Sequence, residues 1–214
     1  MSKVKIDNKP IDDTYLAYIR EKIGEDAIGS KEVKPYEVIS SGSLILDKIL
    51  GIGGFPLCSI VEIWGREGSG KTSIAMNTAK EAQRKGYYVL YIDVEGHFDN
   101  NYAQAIGIDF DKIFIQKTGS GENSFAENIL QSIEKALMDS KYTLIVLDSL
   151  PVIMPRKWFE DGMIDYDKGG QFAVIASLIP KPLASFNKYV ESKKKLLLIL
   201  NQARANIGGS MYSP

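Results

Sequence analysis

The sequence predicts an α/β domain in which helices flank both faces of a mainly parallel central sheet. Four apolar runs have the length of buried strands, and segments of helical period separate them. Polar or glycine-rich residues follow each run at its carboxyl end. Open sheets of this kind bind their ligands beyond the carboxyl ends of the strands, so we expect the site there. The four runs are residues 59–64, 87–92, 142–147 and 196–200.

The first run leads into a glycine-rich loop, GREGSGKT, and a helical segment follows the loop. This order is what a P-loop requires: glycines 65, 68 and 70 allow backbone conformations closed to other residues, so that amide N–H groups converge on phosphate oxygens. Lys71 is expected to place its charge on the outer phosphates, and the Thr72 hydroxyl is expected to ligate Mg²⁺. The alternative is a chance glycine-rich turn, but all four fixed positions match. The residues predicted to hold the nucleotide here are Gly65, Arg66, Glu67, Gly68, Ser69, Gly70, Lys71, Thr72 and Ser73.

Carboxylates follow two of the other strands. Asp93 and Glu95 come after the run 87–92, and Asp148 ends the run that begins at Tyr142. In P-loop enzymes a second acidic strand holds the magnesium shell, which makes Asp148 a candidate, although a carboxylate that merely terminates a strand is common. Side chains two apart share a face, so one carboxylate of the first pair can simply cap a turn.

Composition bounds the class of protein. With 214 residues, of which 44% are apolar, the chain can bury one substantial core. A net charge of −1 means that any nucleic-acid binding depends on local loops. The single cysteine, Cys58, lies beside an apolar strand and is expected to be a small core residue in a reducing compartment. No apolar stretch has membrane-spanning length and the N-terminus lacks a signal core, so we expect a soluble, cytoplasmic protein without a membrane partner.

The flanking segments carry weaker patterns. Apolar residues recur at helical spacing over residues 11–23, and one helix must pack on its own core or on a neighbouring copy. We therefore divide the chain into an N-terminal helix with its linker, residues 1–34, and a core, residues 35–214. Ser43 is expected to cap a short helix. Pro180 and Pro182 predict a break in a helical pattern from Gln171, and the lysine run 193–195 is expected to be a solvated helix end rather than a DNA patch.

Four blocks of sequence occur in colinear order: VISSGSLILDKILGIGGFP with SIVEIWGREGSGKTSIA, then YIDVEGHFDNNYAQAIGID, LIVLDSLPVIMP and LLLILNQARANIG. Together they resemble the RecA family of recombinases, bacterial or phage-encoded, from near Tyr15 over nearly all of the remaining chain. The resemblance implies a RecA-like P-loop ATPase core, preceded by a polymerisation helix that docks on the adjacent protomer of a head-to-tail filament. The family continues past residue 214, so the chain resembles a C-terminally incomplete member that stops within the second DNA-binding loop.

The resemblance also implies roles for individual residues. Glu95 would polarise the water that attacks the γ-phosphate, and Gln202 would sense that phosphate and signal to the next loop, unless it is only a polar strand end. Asp99 and Tyr102 match positions around the adenine, although Tyr102 can also be a core residue of a short helix. His97 is shifted by one position from the family's histidine, which favours a structural role. The catalytic set is Glu95, Lys71 and Gln202, and the magnesium-shell strand carries Asp148 and Ser149.

Two loops would contact DNA. Residues 156–169 match the first, with Trp158 or Phe159 as possible apolar inserts, and the second begins near Arg204. The Trp-Phe pair can instead contact a partner or pack within the chain. The residues expected to contact DNA are Arg156, Lys157, Lys168 and Arg204.

The resemblance implies a function as a whole. The cofactors would be ATP and Mg²⁺, and the partners would be single- and double-stranded DNA and further copies of the chain. The activity would be DNA-dependent ATP hydrolysis that drives homologous pairing and strand exchange. Two alternatives stay open: a RecA-fold ATPase with a helicase-loading or clock-type role, and a nucleotide-binding fragment that acts with a separate partner chain. The first would be less expected to show both VISSGSLILDKIL and NQARANIG.

Overall fold

A computed structural model describes residues 13–24, 35–119, 124–156 and 180–202. The chain packs as two units, residues 1–35 and 36–214. In the first unit the described residues form helix α1, Asp13–Lys22, which confirms the predicted N-terminal helix. The rings of Tyr15 and Tyr18 stack on this helix with 6.4 Å between their centroids. None of the described helices is long and apolar enough to cross a bilayer.

The second unit is built around a parallel sheet. The described strands of this unit are β1 Val38–Ile39, β2 Phe55–Pro56, β3 Ser59–Gly65, β4 Tyr88–Asp93, β5 Ile113–Lys117, β6 Tyr142–Asp148 and β7 Leu196–Gln202. Its helices are α2 Leu44–Ile49, α3 Lys71–Arg84, α4 Asn100–Ile106, α5 Ala126–Met138 and α6 Pro180–Ser192. Five strands form one sheet in the order β3–β7–β6–β4–β5, and all neighbours are parallel. The predicted α/β class is therefore confirmed, with β1 and β2 forming a separate antiparallel ribbon.

Alternation along the strands divides the core into two layers. On β4, Val89 and Tyr91 pack with the residues of α3 and α4, whereas Leu90 and Ile92 pack with those of α5 and α6. The same two-residue alternation places Asp148 of β6 and Gln202 of β7 on the α3 side of the sheet. Each continues the set of alternate residues on its strand that pack against α3. The polar strand ends therefore meet on the face where α3 begins.

The start of α2 follows from local chemistry. Ser43 Oγ accepts a hydrogen bond from the Leu46 N–H at 3.4 Å, which confirms the predicted cap of α2. Of the two helical pieces predicted around Pro180 and Pro182, the second is confirmed as α6, described over Pro180–Ser192. The piece predicted from Gln171, and with it the predicted break, lies outside the described residues.

The structure corrects two expectations near β3. The P-loop strand is predicted to be buried, but in the described sheet β3 is an edge strand beside β7, and Trp64 is 69% exposed. Cys58 is predicted to be a core residue, but it is exposed. Its φ of +62° places it in the left-handed turn before β3 instead of in the strand, so the alternation of the strand does not direct its side chain inward.

Lys195 corrects the prediction that the lysine run is a solvated helix end. The residue is 2% exposed, and its Nζ donates to the carbonyl of Ala136 at 3.2 Å and to the carbonyls of Asp139 and Tyr142. The last carbonyls of α5 have no partner within the helix, so a single ammonium satisfies acceptors at the end of α5 and the start of β6. Burial lowers the pKa of this ammonium. Lys193 and Lys194 are exposed, as predicted.

Lys195→Met is expected to lower the free energy of unfolding by about 2 kcal/mol, because it removes the donor from three carbonyls at the end of α5 and the start of β6. For a domain of this size, thermal denaturation followed by circular dichroism should show a loss of about 4–8 °C. Lys193→Met is the matched control, since it changes an exposed lysine of the same run and should leave the melting temperature within about 1 °C. Equal melting temperatures for the two variants would contradict a stabilising role for the buried ammonium.

Candidate nucleotide-binding site

The glycine-rich loop joins β3 to α3 with the backbone geometry that its glycines permit. Gly70 is the residue before α3 and has a φ of +87°, and Gly68 has a φ of +70°, both in the left-handed region. Gly65 is expected to adopt a backbone conformation closed to other residues, but its φ is not in the left-handed region. A glycine is required there because another part of the loop approaches it closely. A Cβ on Gly65 would lie 2.8 Å from Ser69 Oγ. The loop therefore folds tightly over its own serine.

Lys71 is the first residue of α3, and its ammonium turns back toward the loop. The residue is 9% exposed, and Nζ donates to the carbonyls of Gly65 at 3.1 Å and Arg66 at 2.9 Å. No side chain caps the start of α3 among the described residues. The first amides of the helix and the positive end of its dipole thus lie next to a lysine charge, a combination that suits an anion.

Thr72 and Asp148 meet across the site. Thr72 Oγ1 donates to Asp148 Oδ2 at 3.0 Å, and the Tyr91 hydroxyl donates to the same oxygen at 2.6 Å. Burial raises the pKa of Asp148, and the charges of Glu95 and Asp93 add to this, while the bonds from Tyr91 and Thr72 oppose it. A buried carboxylate that two hydroxyls must stabilise is a costly arrangement, and a bound cation would offset its charge.

These oxygens fit Mg²⁺. Among the described residues no group of three or more histidine, cysteine, aspartate or glutamate side chains could hold a metal ion. Magnesium does not require such a cage, because it usually retains waters and is bound through one or two protein oxygens together with phosphate oxygens. The Thr72 hydroxyl and the Asp148 carboxylate supply oxygens of this kind beside the loop.

Asp148→Asn is expected to raise the melting temperature of the nucleotide-free protein near neutral pH. The folded-state pKa of Asp148 is raised above the ordinary 3.8, so its ionised form destabilises the folded state. That cost is absent below the ordinary pKa, where the carboxyl is neutral in both states, and it develops as the pH rises through the raised value. Melting curves in EDTA should therefore show a gap between variant and wild type that widens with pH and then stays constant.

Asp111→Asn changes an exposed aspartate and should leave the melting temperature within about 1 °C at every pH. A lower melting temperature for Asp148→Asn at neutral pH would contradict the sign of the effect. It would mean that the bonds from Tyr91 and Thr72 to the charged carboxylate outweigh the cost of its burial.

Glu95 lies just beyond β4 and contacts three polar side chains. Ser149 Oγ donates to Glu95 Oε1, and Gln202 Nε2 donates to the same oxygen at 2.9 Å. His97 Nδ1 lies 3.3 Å from the other oxygen, Oε2. The Glu95 side chain is 19% exposed and that of His97 is 77% exposed, so the imidazole lies on the solvent side. Despite its shift in sequence, His97 reaches Glu95, because Gly96 turns the chain with a φ of +74°.

Other candidate residues have local structural partners. Asp93 accepts hydrogen bonds from the N–H groups of His97 and Phe98 at 3.0 Å each, so the turn-capping alternative is confirmed for it. Asp99 accepts from the N–H groups of Asn101 and Tyr102 and caps α4. Tyr102 is 37% exposed, so the alternative of a core tyrosine is wrong. The adenine role of Tyr102 stays a prediction.

One of the predicted DNA contacts lies within the described residues. The Arg156 N–H donates to Glu127 Oε2 at 3.1 Å, and its guanidinium lies 5.1 Å from the centroid of the Phe125 ring. The start of the first predicted DNA loop is thus held against the N-terminal turn of α5. The other predicted contacts lie outside the described residues: Lys157, Lys168 and Arg204.

Sequence reasoning missed Tyr91, which lies inside an apolar run and has the pattern of a core residue. A hydroxyl in the middle of a buried strand is the only signal, since a buried phenol usually finds a partner. That partner is 57 residues away in the chain. The contact of His97 with Glu95 was also missed, because only the turn at Gly96 creates it.

Fold and loop define the class of this protein: it is an α/β domain of the P-loop type, with its polar strand ends gathered at the start of the loop helix. The family of the RecA N-terminal domain matches residues 11–214. The chain belongs to this family.

Relatives named Protein RecA agree with this assignment. The chain is similar to that of Nocardioides sp., with 34% identity over 205 residues that cover 94% of the chain and 56% of the relative. It is 39% identical to that of Mycoplasma genitalium over 183 residues, which cover 86% and 51%. It is 35% identical to that of Mycoplasma pneumoniae over 206 residues, which cover 96% and 57%. The chain spans about half the length of the curated relatives it matches.

Proposed function

We propose that the chain binds ATP with Mg²⁺, hydrolyses it in response to single-stranded DNA, and acts as the core of a recombinase that pairs homologous strands within a head-to-tail filament. The observation that carries this proposal is the hydrogen bond from Gln202 Nε2 to Glu95 Oε1, at 2.9 Å. It joins the carboxylate proposed to activate water to the strand that leads into the proposed second DNA loop. A movement of Gln202 would therefore change the hydrogen bonding of Glu95, and a change at Glu95 would free or bind Gln202.

The glycine-rich loop would bind the triphosphate. Lys71 Nζ would exchange the carbonyls of Gly65 and Arg66 for the outer phosphate oxygens, and the first amides of α3 would donate to the same group. The adenine would lie near Asp99 and Tyr102, where the partly exposed ring is available for stacking. Each of these groups is held by β3, α3 or α4 before the nucleotide arrives.

Mg²⁺, when bound with the nucleotide, would offset the phosphate charge and polarise the γ-phosphate. Thr72 and Asp148 are the residues that would hold it, through a hydroxyl oxygen and a carboxylate. The hydrogen bond between them keeps the two side chains together at the start of α3. Asp148 would also lose its destabilising effect on the fold, since the cation would compensate its buried charge.

Glu95 would orient the attacking water and accept its proton. Ser149 and Gln202 both donate to Oε1, so this oxygen is occupied and the carboxylate plane is held. Oε2 has His97 Nδ1 at 3.3 Å on its solvent side and keeps a second lone pair that can accept from water. A carboxylate at a strand end beside the triphosphate is well placed to do so. Gln202 has a second N–H on the same nitrogen, which can donate to the γ-phosphate. Loss of that phosphate would release the amide and the chain after β7.

ATP turnover by the chain, measured with and without single-stranded DNA, tests the proposed function. We expect DNA to increase turnover and electron microscopy to show filaments with a non-hydrolysable nucleotide. Turnover that does not respond to DNA would contradict the recombinase proposal and favour a RecA-fold ATPase with another role. Nucleotide binding with neither turnover nor DNA coating would favour a nucleotide-binding piece that acts with a partner chain.

A further inference from the structure

Tyr91 places a phenol in the buried part of the candidate site. The residue is 0% exposed and belongs to the layer of the core that packs under α3. Phe98 meets the ring edge-on, with 4.9 Å between centroids and 72° between planes. Because β4 fixes the backbone and packing fixes the ring, the position of the hydroxyl is set by the fold.

The hydroxyl of Tyr91 is directed at one oxygen of Asp148. It donates to Oδ2 at 2.6 Å, and Thr72 Oγ1 donates to the same oxygen at 3.0 Å. No side chain in the described part of the chain hydrogen-bonds Oδ1. Two donors therefore anchor one carboxylate oxygen and leave the other for a ligand.

The two donors differ in kind. Thr72 lies in the first turn of α3, is half-buried, and is itself a proposed ligand of Mg²⁺. Tyr91 lies below it and would touch neither nucleotide nor metal. The Tyr91 hydroxyl is the donor of this pair, since an ionised carboxylate can only accept.

We propose that Tyr91 is a positioning residue for magnesium: its hydroxyl holds the Asp148 carboxylate in the orientation in which this carboxylate and Thr72 bind Mg²⁺ together. The proposal rests on the proposed function, because the nucleotide with Mg²⁺ is the ligand in question. Partners that orient metal-binding side chains are important for affinity, and their loss typically weakens metal binding by 10–100-fold.

Tyr91→Phe tests the proposal, since it removes the hydroxyl and keeps the ring against Phe98. Binding of a fluorescent, non-hydrolysable ATP analogue is titrated with Mg²⁺, and also measured in EDTA. The Mg²⁺ concentration at half-maximal binding is expected to rise about tenfold, while binding in EDTA is unchanged. Tyr87→Phe is the matched control, because that hydroxyl also donates to a carboxylate, Glu37 at 2.8 Å, but away from the site. It should leave the titration unchanged.

A double-mutant cycle separates an effect through Asp148 from a general loss of packing. In the Asp148→Asn background, Tyr91→Phe is expected to have no further effect on the response to Mg²⁺. An unchanged titration for Tyr91→Phe in the wild-type background would overturn the role of Tyr91 and leave the proposed function standing. An equal loss of binding with Mg²⁺ and in EDTA would also overturn it, because the hydroxyl would then serve the fold and not the metal.

The wild type separates the two proposals. If it binds the analogue without any dependence on Mg²⁺, the role of Tyr91 and the magnesium part of the proposed function are both overturned. A second outcome is that wild-type binding depends on Mg²⁺ and Tyr91→Phe shifts that dependence, but wild-type turnover does not respond to DNA. The role of Tyr91 then stands and the proposed function fails.

Discussion

Lys71→Ala is expected to weaken ATP binding by about 100-fold or more. A lysine that donates to charged phosphate oxygens contributes about 1.5–3 kcal/mol for each such hydrogen bond, and 1.4 kcal/mol corresponds to a factor of ten. The loss should appear in a titration with a fluorescent ATP analogue. The fold should survive, because the carbonyls that Lys71 contacts belong to the loop at Gly65 and Arg66, where water can replace the ammonium.

Lys80→Ala is the matched control for this variant. Lys80 lies on the same helix, and its Nζ donates to the side chain of Asn77 instead of to the loop. Its removal changes the charge of the protein equally and should leave nucleotide affinity within a factor of about two. If both variants bind equally well, the loop does not hold the triphosphate through Lys71. If both lose affinity equally, the effect comes from the charge of α3 and not from a specific contact.

Glu95→Gln is expected to slow ATP hydrolysis by about 10²–10⁴-fold, the usual contribution of a positioned general base. Nucleotide binding should be unchanged, since glutamine has the shape of glutamate and its carbonyl oxygen still accepts from Ser149 and Gln202. What the amide loses is the ability to take a proton from water. Single-turnover hydrolysis with single-stranded DNA, together with the affinity for the fluorescent analogue, measures the two effects separately.

Glu81→Gln is the control for the change of charge. This glutamate lies on α3 and pairs with Lys80 and Arg84, away from the proposed chemistry, so hydrolysis should proceed at the wild-type rate. A Glu95→Gln variant that hydrolyses ATP at the rate of this control would remove Glu95 from the reaction. A loss of affinity as large as that of Lys71→Ala would contradict the separate roles proposed for binding and hydrolysis.

The elements that sequence reasoning predicted correctly are those specified by neighbours in the chain. The parallel strands, the cap at Ser43 and the loop before α3 follow from apolar runs, capping oxygens and glycines within a few residues of each other. Gly70 is an example: the residue before α3 has a left-handed conformation, and the glycine in the sequence indicates this directly. The capping role of Asp93 is also predictable from the sequence as an alternative, since its partners follow within five residues.

The errors arose where partners are distant in sequence. Lys195 is the same residue type as its neighbours Lys193 and Lys194. It is buried, unlike them, because the end of α5 and the start of β6 lie against it. Cys58 lies in a turn with a φ of +62°, and its N–H donates to the carbonyl of Lys195, far along the chain, at 2.8 Å. The position of β3 at the edge of the described sheet depends on strand order, which local periodicity does not contain.

Short-range patterns in the sequence specify the α/β class, the phosphate-type loop and the acidic strand ends, because such patterns encode backbone conformation and burial. Which side chains meet depends on how the strands and helices pack. The pairs Thr72–Asp148, Tyr91–Asp148 and Glu95–Gln202 join residues 76, 57 and 107 positions apart. Their contact depends on parallel strand order and on the two-residue period that directs them to the α3 face, and both are properties of the packed sheet.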